Sequence, residues 1–289
     1  MTRRKETALI TVILSICLIA AIAGVIRSSG NKEEAPETDP SDDKSEAEVT
    51  IVLPDSSRGD TADAEVTNLK GDTYNFRIFD QRAGYDNYSE YLSAHGCSTC
   101  ALTTILRTTA EGLEDLTPDR TLTEIIYPVI GDGVFSKNFS KSKKRQMPIT
   151  LGGMTLIFDK YGVEYKKPST DPDKRAGEVK KWLRKGNPVI LTFGNGKSAH
   201  LSRYTHTVLL LGIDDNGKVI IGDSLHKSAS YWGKDGLIKS GKLTVEEMLS
   251  FIKKEDGWTL NQDTVPQDRI FYKNSADRGY LLIRKAGNN

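Results

Sequence analysis

The chain has 289 residues, 37% of them hydrophobic and 27% charged, which leaves room for one large folded domain with extensions and argues against a protein of many membrane spans. A formal net charge of +1 gives no bulk attraction to nucleic acid, so no nucleic-acid partner is expected. Three cysteines are too few for a disulfide scaffold, and one of them, Cys17, lies in an apolar N-terminal run.

Arg3, Arg4 and Lys5 precede an uncharged stretch from Ala8 to Ile26, long enough as a helix to cross roughly 30 Å of hydrocarbon. The basic flank would stay in the cytoplasm, so residues 1–27 read as a cytoplasmic basic stub and a single-pass membrane anchor, with everything after them extracytoplasmic. Ala21-Ile-Ala23 also fits a signal-peptide cleavage site, which would release a secreted protein instead. The apolar run continues past that site to Ile26, which favours the anchor. Residues 28–67, rich in Glu, Asp, Ser, Pro and Thr, bury too little apolar surface to offset their ordering entropy and read as an acidic disordered linker. Its one apolar interruption, Val49-Thr-Ile-Val-Leu53, suits a short strand or a docking segment. The folded domain is expected over residues 68–289.

Within it, His95-Gly-Cys-Ser-Thr-Cys-Ala-Leu-Thr-Thr-Ile-Leu106 reads as a polar loop entering a helix that reaches about Glu111. A thiol in the first turn of a helix sits beside unpaired N–H groups and the positive end of the macrodipole, which favours the thiolate. Cys97 is therefore a candidate nucleophile, the alternative being an inert buried thiol. Cys100 completes a Cys-x-x-Cys arrangement and is a candidate redox partner for it.

Thr117-Pro118 then caps a helix through about Tyr127, with Pro128 and Gly131-Asp-Gly133 as its stop. Ser136 to Arg145 is basic without an apolar period and reads as an exposed loop. Thr150 caps another helix ending near Tyr161-Gly162, and Ala176 to Gly186 is an amphipathic helix with Val179, Trp182 and Leu183 on one face. Pro188 to Phe193 is expected as a strand.

The second informative stretch is His206 to Ile213, Asp214-Asp-Asn-Gly217, and Lys218 to Asp223, two β-prone runs around a hairpin turn. With Asp214 to Gly217 as the loop, Ile213 faces Lys218, His206 faces about Leu225, and Asp223 lies on the diagonal on the same face as His206. A nucleophilic thiol needs a base, and the base needs a group to fix its tautomer and stabilise its cation; Cys97, His206 and Asp223 offer the three roles. Of the other histidines, His95 flanks Cys97 and suits a rim position, His226 lies just beyond the hairpin, and His200 is a reserve base. The Cys97 N–H and the Gln81 side chain are candidate donors for an oxyanion.

These residues resemble the papain-like cysteine peptidases of the bacteriocin-leader, or double-glycine, peptidase-like superfamily. The resemblance runs from Gly96-Cys-Ser-Thr-Cys-Ala101 through Gly186-Asn-Pro-Val-Ile190 and His206-Thr-Val-Leu to Gly-Ile-Asp214 and Gly222-Asp-Ser224, covering about Phe76 to Ile252. Ser98-Thr99 departs from the Gly-Pro often found after the cysteine, and no transporter domain accompanies the motifs. The resemblance implies an α+β papain-like cysteine peptidase fold, in which an N-terminal helix bearing the cysteine packs on an antiparallel sheet bearing the histidine and aspartate. It implies Cys97 as nucleophile, His206 as base, Asp223 as its orienting acid and Gln81 at the oxyanion hole. No cofactor is expected, and no metal, since two thiols without a further pair of ligands do not make the usual zinc set. NlpC-type cell-wall endopeptidases are similar around Cys97-Ser98 but usually carry a second histidine as orienting group.

The expected function is a membrane-anchored extracytoplasmic cysteine hydrolase, a peptidase or amidase working through an acyl-thioester on a peptide or cell-envelope amide. Two other classes stay open: a Cys-x-x-Cys thiol-disulfide oxidoreductase, and a catalytically inactive papain-like binding module.

Overall fold

A computed structural model of the protein describes residues 51–52, 60–67, 71, 73–86, 88–130, 149–193, 206–226, 236–252 and 279–284, all within the unit Glu46–Asn289. The apolar run from Ala8 to Ile26, the basic stretch from Ser136 to Arg145 and His200 lie outside the described residues. Among the described residues no helix is long and apolar enough to cross a membrane.

The first strands among the described residues lie before Asn68, within residues 28–67. Strands β1 (Ile51–Val52), β2 (Thr61–Thr67) and β3 (Thr73–Phe79) form a three-stranded antiparallel sheet. The acidic composition of Thr61–Thr67 hides a period of two: Ala64 and Val66 are buried, whereas Asp63 and Glu65, which alternate with them, face water. Asp63 is set opposite Arg77 and accepts two of its hydrogen bonds, at 2.8 and 3.0 Å. Only one face of this sheet needs apolar residues, so a low overall hydrophobicity suffices.

The segment before Cys97 is also more regular than a loop. Helix α1 (Ser89–His95), with Tyr91 and Leu92 buried, ends at Gly96, and helix α2 (Cys97–Thr109) starts at the next residue. The Gly96 N–H donates to the Leu92 carbonyl at 2.7 Å, and a Cβ at this position would overlap that carbonyl. Glycine is thus required by close approach of backbone to backbone, and it fixes where Cys97 enters α2.

Every residue of α2 from Cys97 to Leu106 is buried. The helix lies between the small sheet and the large one, touching β3 on one side and β6 on the other. The buried hydroxyls of Thr103 and Thr104 find acceptors, whereas Ser98 Oγ and Thr99 Oγ1 have no hydrogen-bond partner among the described residues. Thr103 Oγ1 donates to the Thr99 carbonyl at 2.8 Å and lies 2.7 Å from Thr121 Oγ1, and Thr104 Oγ1 donates to the Arg77 carbonyl at 2.6 Å.

Helix α3 (118–130) does not stop at Pro128. It begins as an α-helical turn, Pro118–Arg120, widens into a π-helical stretch, Thr121–Ile126, and closes with an α-helical turn, Tyr127–Ile130. The Tyr127 N–H reaches back to the Leu122 carbonyl. This change of register accommodates a proline that has no N–H and whose ring would crowd a regular α-turn. Helix α4 (Leu151–Tyr161) follows expectation at both ends: Thr150 Oγ1 accepts from Gly153 N–H, and Gly162 is left-handed at φ 67°.

The large sheet is antiparallel with strand order β4-β9-β5-β6-β7-β8, built from β4 (Tyr165–Lys166), β5 (Val189–Phe193), β6 (His206–Ile213), β7 (Val219–Gly222), β8 (Ile238–Lys239) and β9 (Gly279–Ile283). The C-terminal strand β9 is interior, between β4 and β5. Both faces of the sheet are covered. Leu209, Leu211, Ile190 and Leu281 join the core around α2, α4 and β3. Val208, Leu210, Ile221 and Leu282 join a second core under helices α5 (Arg175–Leu183) and α6 (Val245–Ser250). Coverage on both sides is why these strands are almost uniformly apolar and do not alternate with polar residues.

The β6/β7 hairpin differs from expectation by one residue. Ile213 pairs with Val219, so the loop is 214–218, and a bulge between Leu210 and Gly212 absorbs the extra residue. Beyond the bulge, Leu209 pairs with Gly222, which restores the register expected for His206 and Asp223.

Candidate active site

His206 is the first residue of β6, paired with Phe193 of β5, whose ring stands edge-on to the imidazole at a centroid distance of 5.8 Å. Asp223 directly follows β7. The strand pairing brings their side chains together, with Nε2 of His206 2.8 Å from Oδ1 of Asp223. The same oxygen accepts the Leu225 N–H at 2.9 Å. The other oxygen, Oδ2, accepts from Nζ of Lys239 on β8 at 2.8 Å. That ammonium also donates to the Leu225 carbonyl at 2.6 Å.

Cys97 meets this pair from α2. The groups that act on its thiol are the His206 side chain and the backbone at Thr207 and Ser98. Because Asp223 holds Nε2, Nδ1 is the ring nitrogen left for the sulfur. Both Cys97, 6% exposed, and His206, 5% exposed, are shielded from water.

Burial is the largest influence on each of the three groups and by itself disfavours charge. At Cys97 it is overcome by the hydrogen bond and charge of His206, helped by the Thr207 and Ser98 backbone, so the thiol is held below its ordinary value. At His206 it is overcome by the charge and hydrogen bond of Asp223, then by those of Cys97, and the imidazolium is held up to about 10. At Asp223 it is overcome by His206 and then Lys239, which keep the carboxyl well below the usual carboxylate range. The arrangement favours a thiolate and an imidazolium side by side, held between helix and sheet.

Gln81 sits in the turn after β3 and is 4% exposed. Its N–H donates to the Ser224 carbonyl at 3.0 Å and its Oε1 accepts from Ser224 Oγ at 2.8 Å, so the turn is fastened to the residue following Asp223. Its Nε2 donates to the Ser93 carbonyl of α1 at 3.0 Å; an amide nitrogen carries two hydrogens, and that carbonyl takes one. The neighbouring Asp80 pairs with His226 at 3.4 Å across the same junction. His95 packs against the Tyr91 ring at 5.8 Å, and burial lowers its affinity for a proton.

Cys100 is a free thiol, as is Cys97. It is 2% exposed, and burial, the nearby Cys97 sulfur and Asp80 together push its thiol well above the ordinary value. The residue that sequence reading missed is Lys239. A lone lysine in Gly236-Leu-Ile-Lys239 gives no sign of being buried, and its partner lies on a neighbouring strand; the one available signal was a charge inside a short β-prone run.

Residues 73–240 match the Peptidase_C39 like family, which is more than half of the chain. The protein belongs to that family and is therefore a cysteine-peptidase-like protein of α+β architecture. The match takes in Gln81, Cys97, His206, Asp223 and Lys239. No curated protein matches the chain.

Proposed function

We propose that the protein is a cysteine hydrolase, a peptidase or amidase of papain-like fold, in which Cys97, His206 and Asp223 carry the chemistry. The observation that supports this reading best is the buried His206–Asp223 hydrogen bond at the adjoining ends of β6 and β7, with His206 as the cationic partner of the buried Cys97 thiol at the start of α2. In this reading the Cys97 thiolate attacks the carbonyl carbon of an amide, and the carbonyl oxygen takes up the negative charge. The Cys97 N–H and an Nε2 hydrogen of Gln81 donate to that oxyanion. The His206 imidazolium gives its proton to the departing amine, leaving an acyl-thioester and a neutral imidazole. That imidazole then takes a proton from water, the hydroxide attacks the thioester, and the carboxylic acid leaves as the thiolate re-forms. Asp223 keeps the ring oriented throughout and offsets its positive charge.

The N-terminal run supports a location as well: we place the hydrolase outside the cytoplasm on a single-pass anchor, facing peptide or cell-envelope amides. The Cys-x-x-Cys pair gives less support to an oxidoreductase, because helix α1 and not a strand of a βαβ unit leads into Cys97, and that reading leaves the His206–Asp223 pair without a role.

The test is turnover of a fluorogenic peptide and amide library by purified wild type and Cys97→Ala. Cys97→Ala is expected to lose at least about 10³-fold in kcat/KM, as removal of a covalent nucleophile does. A substrate turned over equally well by both proteins would overturn the proposal.

A further inference from the structure

Lys239 is a charged side chain with 1% of its surface exposed, in the last strand of the large sheet and outside the usual three-residue account of such a site. A buried ammonium is costly unless it is paired and its remaining donors are used. Here one hydrogen bond goes to Oδ2 of Asp223 and another to the Leu225 carbonyl, and Leu225 in turn donates its N–H to Oδ1 of the same aspartate. The result is a clasp: Lys239 and Leu225 grip the carboxylate from both sides, and Oδ1 is presented to Nε2 of His206. The strand register supports it, since β7 pairs with β8 at Gly222↔Ile238 and the Asp223 N–H donates to the Leu237 carbonyl at 2.8 Å.

We propose that Lys239 is a positioning residue of the site, which fixes the Asp223 carboxylate and completes a buried row of four alternating charges, Cys97 thiolate, His206 imidazolium, Asp223 carboxylate and Lys239 ammonium. This rests on the function proposed above. The row sums to zero, so the ion pair at the reacting end forms without leaving a net charge in the interior. Among the described residues the other titratable groups facing the thiol are Tyr91 on α1 and Cys100 on α2, both held neutral chiefly by burial; Asp80, after β3, acts on Cys100.

The sign of the effect follows from charge alone. Without the ammonium the row carries a net negative charge, and every proton in it binds more tightly. Removing Lys239 therefore moves both the ionisation of the Cys97 thiol and that of the His206 imidazolium to higher pH. A residue that merely filled space would change the amount or stability of active protein and leave both inflections in place.

The experiment is the rate of Cys97 alkylation by iodoacetamide against pH, read by mass spectrometry, in wild type, Lys239→Met and Lys239→Arg. In Lys239→Met both inflections are expected to rise, by on the order of one pH unit, and in Lys239→Arg, which retains the charge, they are expected to return most of the way. On an Asp223→Asn background Lys239→Met is expected to add a smaller shift than it does alone. Should Lys239→Met not accumulate as folded protein, Lys239→Gln, which keeps a donor for the Leu225 carbonyl, carries the same comparison. Inflections that stay put in a folded charge-removing variant overturn the role of Lys239. A wild type whose Cys97 reacts like an ordinary thiol would instead overturn the proposed function, so the two failures are distinguishable.

Discussion

The first and second turns of α2 each carry a buried thiol, and the two are driven in opposite directions. Cys97, in the first turn, looks out of the helix toward β6 and meets an imidazole already held by a carboxylate and, behind that, an ammonium. Cys100, one turn on, is enclosed by the same packing, and its charged neighbours among the described residues, Cys97 and Asp80, are negative. In both, burial is the largest influence and opposes the thiolate. What separates them is the His206 partner, helped at Cys97 by the Thr207 and Ser98 backbone, so shielding within a helix does not by itself activate a thiol.

The largest expected effect breaks this comparison at its centre. Alongside the loss in Cys97→Ala, Cys100→Ala is expected to keep kcat/KM within about threefold of wild type, the change that slight repacking of a buried small side chain allows. If Cys100→Ala were as damaging as Cys97→Ala in folded protein, the two turns would be acting as one redox pair. Next in size, Gln81→Ala is expected to lower kcat by about 10²-fold to 10³-fold with little change in KM, the loss associated with one oxyanion donor. A fall confined to KM would instead make Gln81 part of substrate binding. The smallest effect sharpens the geometry of the first turn: Gly96→Ala, forced against the Leu92 carbonyl, is expected to destabilise the fold by about 1–3 kcal/mol in denaturant titration.

Much of the site was legible in the sequence because its parts lie on elements with strong local signals. The Asp-Asn-Gly turn and the β-prone runs around it place His206 and Asp223 on one face, and the loop that is one residue longer than expected is offset by the bulge at Leu210/Gly212. Gly96 marks the start of α2. Other features had no comparable signal. Thr61–Thr67 is a strand whose acidic outer face dominates its composition, so its alternation of Ala64 and Val66 was read as linker. The π-helical stretch before Pro128 depends on how α3 packs, and proline alone predicts a stop. Lys239 was invisible because its meaning comes from a hydrogen bond across strands to Asp223, which no spacing along the chain encodes.

The most direct measurement of the central claim is the iodoacetamide reactivity of Cys97 and Cys100 in the same native protein between pH 5 and pH 10, with His206→Ala as the comparison. The account predicts that Cys97 is already labelled rapidly near pH 6, well below the value of about 8.5 at which a free thiol ionises, while Cys100 stays unlabelled until the protein is unfolded. It also predicts that His206→Ala removes the low-pH reactivity of Cys97. Equal labelling of the two thiols, or a Cys97 profile that rises only near the ordinary thiol value and is unchanged in His206→Ala, would contradict it.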